Sequence, residues 1–173
     1  MNGASELIYF EMPKTPINES IVIKGESFWG CQKLFGEDTN PASSTNRNKL
    51  IQEFFKDVSK VETSMAFANL GYGYDPFENI LKFSGKLTSL GAKTFLYTRS
   101  IVGVQFGGEG DPTKFDIDNN ETGVFAEGTI PKIDIIVYIE GGENYSSTVA
   151  KWESKIFDIL GVVEIDQIEF RTA

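Results

Sequence analysis

The stretch 132–170 constrains the fold of this chain most, because its apolar pattern predicts a strand, a helix and a second strand. Every second residue from 133 to 139 is apolar, which indicates an extended segment with one buried face. Between residues 147 and 160 the apolar side chains recur at intervals of three or four, as in an amphipathic helix. Gly161 fits the C-terminal cap of that helix, and residues 162–171 read as extended again.

The preceding residues complete the predicted fold class. Asp75, Pro76 and Glu78 form a strong helix start, and Gly85 inside that helix costs about 1 kcal/mol relative to Ala, which points to a close neighbour there. The prediction is one α+β domain, with a mixed, mainly antiparallel sheet and about three helices packed on one face. The strands are expected at 94–106, 123–129, 132–140 and 162–171, the helices at 47–62, 76–90 and 147–160, the domain at 46–173 and an extended N-terminal arm at 1–45.

Charge and composition exclude several classes of function. The net charge of −9 lies entirely in residues 107–173, which carry fourteen acids against five bases, and this half repels phosphate backbones. The N-terminus has no signal-peptide pattern, and no apolar run is long enough to span a bilayer, so neither export nor a membrane is expected. The single cysteine, Cys31, is expected to be a small buried hydrophobe in a chain made in the cytoplasm.

The sequence has little catalytic chemistry to offer. It contains no histidine, which removes the Ser-His-Asp and Cys-His arrangements and the commonest zinc ligand, and it has no phosphate-binding glycine motif. We therefore assign no catalytic residue, no cofactor and no metal ligand. Asp116, Asp118, Asn120 and Glu127 have the spacing of a calcium loop, but Glu121 stands where that loop needs glycine, and a polar hairpin tip is the better interpretation.

The segments 131–140 and 147–160 resemble the strand and helix of bacteriophage tail-terminator and related tail-completion proteins, chiefly through the Trp-Glu-Ser-Lys-Ile run at 152–156. The resemblance implies a small α/β subunit of a ring homo-oligomer, such as a hexamer, that caps the tail tube beside neighbouring tail or neck proteins. It also implies a non-enzymatic virion protein assembled in the host cytoplasm, with an acidic lumen through which DNA passes without specific binding.

The subunit contacts of such an assembly are expected in the N-terminal arm and in the tip at 107–122, since chain ends and long loops are common contact sites. The interface residues in this hypothesis are Leu7, Ile8, Tyr9, Phe10, Ile21, Ile23, Asp111, Asp116, Asp118 and Glu121. Two alternatives stay open. One is an acidic protein-interaction or ligand-binding domain, and the other is a calcium-binding domain or divalent-metal enzyme that uses the acidic loop 111–127.

Overall fold

The computed structural model describes residues 20–31, 54–62, 65–68, 79–98, 101–125, 133–161 and 165–173. These residues form seven strands and one long helix. The strands are β1 (Ile21–Ile23), β2 (Val58–Val61), β3 (Asn79–Phe83), β4 (Ser89–Leu90), β5 (Ile101–Phe106), β6 (Ile133–Ile139) and β7 (Ile165–Thr172), and the helix α1 (Tyr145–Leu160) lies between β6 and β7.

The strands form two parallel sheets, of order β1-β2-β4 and β3-β5-β6-β7. From β2 to β5 the chain alternates between the two sheets, so each turn of the chain adds one strand to each. In the larger sheet Leu81 pairs with Val104, Val104 with Ile135, and Ile135 with Ile168. Successive turns therefore lie on top of one another, as in a short solenoid.

A third row of backbone hydrogen bonds joins the bends of successive turns. The amide N–H of Phe28 donates to Ala66 O at 2.8 Å, and that of Phe67 donates to Thr94 O at the same distance. The amide of Phe95 continues the row by donating to Val124 O at 3.0 Å. The bends are thus paired almost as regularly as the strands. This pairing gives hydrogen-bond partners to buried backbone groups that an irregular loop would leave without one.

Inside these bends a phenylalanine ladder (Phe28, Phe67, Phe95 and Phe125) runs through the core. Consecutive rings lie 5.1, 5.4 and 5.3 Å apart with interplanar angles of 4°, 14° and 23°. All four side chains are buried. Stacked aromatic pairs contribute about 0.5–1.5 kcal/mol each beyond the area that they bury, so the ladder stabilises the stacking of four turns.

Helix α1 closes the last turn. Its buried residues Trp152, Ile156, Ile159 and Leu160 share one face, and it ends at Gly161, whose φ of 65° is the left-handed conformation that glycine adopts without strain. The carbonyls of residues 158–160, left without partners inside the helix, accept from the amides of residues 123–125 at 3.0, 2.9 and 2.7 Å. A Cβ at Gly161 would lie 2.7 Å from the Cα of Gly123, so the close contact also requires glycine.

The predicted fold class is wrong. Both sheets are parallel, and residues 79–90 of the predicted helix 76–90 contain β3 and β4 instead of a helix. Residues 76–78 lie outside the described residues. The helical interpretation rested partly on the spacing of Ile80, Leu81, Leu87 and Leu90, but these residues belong to two short strands and the turn between them. Leu81, Leu87 and Leu90 are buried there. The same chain segment finds hydrogen-bond partners in the neighbouring turns, and these replace the local bonds of a helix.

Two further boundaries differ for the same reason. Residues 58–61 of the predicted helix 47–62 form β2, where they pair with β1 and β4. In the predicted strand 94–106, residues 94–97 belong to the paired bend 92–97, and Ile101–Phe106 forms the strand β5. Residues 99 and 100 lie outside the described residues. Of the predicted strand 123–129, residues 123–125 are not a strand, since residues 124 and 125 form a turn, and residues 126–129 lie outside the described residues.

The C-terminal predictions are confirmed. Strand β6, helix α1 and strand β7 occur where the sequence placed them. In the N-terminal part, Cys31 is buried, as expected. Residues 20–31, assigned to the N-terminal arm, contribute β1 to the smaller sheet and Ile23, Phe28 and Cys31 to the core.

Trp152 anchors α1, because its ring is 1% exposed and lies 5.1 Å from Phe106 and 5.7 Å from Phe115. Trp152→Ala is expected to lower the free energy of unfolding by about 3–5 kcal/mol, measured by urea titration. Phe157 on the same helix is 47% exposed and supplies the control, since Phe157→Ala should cost less than about 1 kcal/mol. Equal losses in the two variants would contradict this role of Trp152.

Candidate functional site

The acidic tip after β5 folds back onto neighbouring turns. Asp111 is exposed, but its Oδ2 atom accepts a hydrogen bond of 2.7 Å from the amide of Gly85. Gly85 is buried, and a Cβ there would lie 2.3 Å from Pro112 O and 2.4 Å from Asp111 Oδ1. The close neighbour that the sequence predicted at Gly85 is therefore confirmed, although the residue lies in a turn and not in a helix.

Asp116 shapes the turn at the end of the tip. Its Oδ1 atom accepts from the amides of Asp118 and Asn119, each at 3.1 Å, and its carboxylate also accepts from the Asn119 side chain. The hydrogen bonds from Asn119 are the first cause that lowers the pKa of Asp116. This carboxylate fixes local backbone, as aspartate commonly does in turns.

Asp118 joins the tip to α1. Its Oδ2 atom lies 2.9 Å from Lys151 Nζ, and its Oδ1 atom lies 2.6 Å from Lys155 Nζ. The two lysines are four residues apart and thus on one face of the helix. Their hydrogen bonds, that of Lys155 first, lower the pKa of Asp118 to about 2.

Glu121 and Asn120 hold the tip against the smaller sheet. The Oε2 atom of Glu121 accepts from the amide of Ala92 at 2.6 Å, and Asn120 Oδ1 accepts from the amide of Leu90 at 3.0 Å. All four acidic residues of the interface hypothesis therefore bind atoms of their own chain. The geometry gives them a structural role that the sequence did not indicate.

The other residues of that hypothesis lie elsewhere. Ile23 is 4% exposed in the core, and Ile21 is half-buried against it. The segment 7–10 lies outside the described residues. Among the residues that are described, no group of three or more acidic or cysteine side chains is arranged to hold a metal ion, and Glu127 of the calcium-like spacing lies outside them.

A small cleft of about 260 Å³ lies between the smaller sheet and the tip, and its polar lining residues include Lys60, Glu62, Ser89, Asn120 and Glu121. Glu62 binds Lys24 there, which lowers the pKa of its carboxyl, and Lys60 lies 3.7 Å away. The volume is slightly below the range of about 300–1,000 Å³ that is usual for small-molecule sites. Glu62, Asn120 and Glu121 in the cleft already bind a lysine or a backbone amide of the chain.

The larger sheet presents a second candidate, which we call the outer face. Side chains alternate along each strand, so the residues between the core positions project away from α1. One row across all four strands consists of Lys82, Gln105, Ile136 and Glu169. The outer face comprises Ile80, Lys82, Gln105, Asp134, Ile136, Tyr138, Gln167, Glu169 and Arg171, all half-buried or exposed.

On the outer face, apolar side chains occupy a central strand and polar side chains lie on the strands beside it. Ile136 and Tyr138 lie on β6, between the polar residues of β5 and β7. The guanidinium of Arg171 donates to Tyr138 Oη at 3.0 Å and lies 5.7 Å from the centre of that ring. It also binds Glu169 at 2.7 Å, which lowers the pKa of the Glu169 carboxyl and raises that of Arg171.

Sequence reasoning missed this face. The alternation in residues 133–139 identified Asp134 as exposed, but the residues that complete each row come from strands 23–33 positions apart in the chain. Only the register between turns brings them together, and the sequence carries no local signal for that register.

No protein-family model matches the sequence, and neither a curated protein nor a solved structure shows significant similarity to it. In the part of the chain that the structure describes, no helix has the length and apolar character needed to cross a membrane.

The contact between the tip and the Gly85 turn predicts a selective effect of an added methyl group. Gly85→Ala should lower the free energy of unfolding by about 1–3 kcal/mol, because the backbone of Pro112 must move. Gly108 lies in the same tip, and a Cβ there would meet nothing within 4 Å. Gly108→Ala is thus the matched control, and a similar loss in both variants would contradict the close contact.

The ion pairs between Asp118 and the two lysines predict that the stability of the fold depends on pH. Because the pKa of Asp118 in the fold lies below its ordinary value of 3.8, its ionised form stabilises the protein above about pH 4. That contribution is lost as the pH falls from 3.8 to about 2. The stability difference between the wild type and Asp118→Asn should therefore shrink over this window in urea titrations. Replacing Lys151 and Lys155 with methionine should remove the dependence, and a constant difference would contradict the ion pairs.

Proposed function

We propose that the protein is a non-enzymatic interaction module that binds a protein partner through the outer face. The observation that carries the proposal is the row Lys82, Gln105, Ile136 and Glu169, completed by Tyr138 on the central strand. Parallel sheets usually have both faces covered by other elements. Here the core and α1 cover one face, whereas Asp134, Gln167 and Arg171 on the other face are exposed.

The chemistry of the face favours a protein over other ligands. Apolar side chains at the centre with charged and amide groups around them are the usual anatomy of a protein interface. The row spans three strand spacings, about 14 Å, which suits a strand or helix of a partner. The face carries both Lys82 and Arg171 as well as Asp134 and Glu169, so it is not a uniformly basic surface for nucleic acid.

A ring-forming subunit of a phage tail is the more specific form of this proposal, and it rests on the resemblance at 131–160. The strand β6 and helix α1 that carry the resemblance are both present, but this module is common to many folds. Electron microscopy of the purified protein, alone and with tail or neck proteins, tests this form. Closed rings would support it, and single particles of monomer size under all conditions would contradict it.

The outer face is tested by photo-crosslinking in the producing cell. A photoreactive residue at Gln105 is expected to capture one defined partner, whereas the same residue at exposed Ser154 on α1 should not. Ile136→Ala should then weaken the binding of that purified partner by about tenfold or more, which corresponds to about 1.4 kcal/mol.

Val22 supplies the matched control, because it is an aliphatic strand residue, 42% exposed, in the other sheet. Val22→Ala should leave the affinity unchanged. Equal capture from Gln105 and Ser154, or equal effects of the Ile136 and Val22 variants, would overturn the proposal. Circular dichroism shows that the variants retain the fold before affinities are compared.

A further inference from the structure

Strand β7 forms one edge of the larger sheet. With eight residues it is the longest strand described, and among the described residues it pairs only with β6. Natural proteins usually protect such edges with short strands, prolines or bulges, because the open edge invites another strand to pair. From residue 167 onward β7 is regular and contains no proline.

The hydrogen-bond pattern identifies the groups on the open edge. The amide of Ala173 donates to Ile139 O at 2.9 Å, so the odd-numbered residues at this end of β7 direct their backbone groups toward β6. Since this direction alternates along a strand, the amides and carbonyls of Ile168, Phe170 and Thr172 point to the open side.

The core is also less complete at this edge. Ile135 and Val137 on β6 are 1% and 0% exposed, whereas their register partners Ile168 and Phe170 on β7 are only half-buried. An added strand would cover them from the open side, as β6 is covered by its two neighbours.

We propose that the strand that covers this edge is β7 of a second copy of the chain, paired antiparallel about a twofold axis at Phe170. This register places Ile168 opposite Thr172 of the partner subunit, and all three outward-directed residues pair with outward-directed residues. It also places Glu169 opposite Arg171 of the partner subunit, twice by symmetry. These two residues form a non-hydrogen-bonded pair, in which side chains approach most closely.

Charge selects this register over its neighbour. Hydrogen bonding permits a shift of the axis by one residue to Glu169, but Glu169 would then face the same residue of the partner subunit, and like charges directly opposite are destabilising. Glu169 of one copy therefore faces Arg171 of the partner subunit only when the axis lies at Phe170. The pairing would join the two four-stranded sheets and place the two outer faces side by side.

The test is charge reversal with rescue, read by size-exclusion chromatography with light scattering over a range of protein concentrations. The wild type is expected to form a dimer. Glu169→Arg and Arg171→Glu should each raise the dissociation constant by at least about tenfold, because both cross-strand pairs become repulsive. The double variant Glu169→Arg/Arg171→Glu should restore dimers, and the two single variants mixed together should pair with each other.

Glu153→Arg, at an exposed position on α1, controls for the change in net charge and should leave the dimer intact. Where a charge variant fails to fold by circular dichroism, Thr172→Pro removes one outward amide at an edge position that tolerates proline and should weaken the dimer. Hydrogen exchange gives a second readout, since the amides of Ile168, Phe170 and Thr172 should be protected only at concentrations where dimers form.

A wild type that stays monomeric at all concentrations would overturn the proposal. It would equally be overturned by dimers that both single reversals leave intact, or by a double reversal that does not restore the pairing. The outer-face proposal would survive either result, because it depends on Ile136 and Gln105 and not on the pairing of β7.

Discussion

The stacking of successive turns through the phenylalanine ladder is the interaction on which the other features depend. Rings 5.1–5.4 Å apart set the position of each bend relative to the next, and the backbone hydrogen bonds between bends keep that position. Once the bends are aligned, the strands on either side fall into parallel register, with Leu81, Val104, Ile135 and Ile168 in one inner row. A substitution that displaces one turn is therefore expected to disturb the register of both sheets.

The acidic excess of the C-terminal half has a structural use in this arrangement. The tip runs from the larger sheet to the smaller one. Backbone amides and lysine side chains of the neighbouring elements donate hydrogen bonds to its carboxylates and hold it in place. Asp111 accepts a hydrogen bond from the turn at Gly85, Asp118 binds two lysines of α1, and Glu121 accepts a hydrogen bond from the turn after β4. That these carboxylates face a neighbouring subunit or a lumen stays a prediction, and each of the three also has a partner within its own chain.

The two surfaces that we propose for recognition are ones that the stacking does not use. They are the outer face, where rows of mixed side chains cross four strands, and the open edge of β7, where the stack stops among the described residues. Tyr138 and Arg171 connect the two surfaces, because Arg171 contacts the ring and also belongs to the edge strand.

The sequence by itself determined those elements whose patterns are local. The alternation at 133–139, the helical stripe at 147–160 and its glycine cap predicted β6 and α1. The close contact at Gly85 was also predicted, but from a helix in place of which the structure has a turn. Only the tertiary structure decided between helix and strand at 58–61 and 79–90, because short apolar runs fit both periods until partners in other turns are known. The parallel direction of the sheets, the partners of the acidic tip and the composition of the outer face were decided in the same way, since contacts between residues 23–33 positions apart depend on how the turns stack.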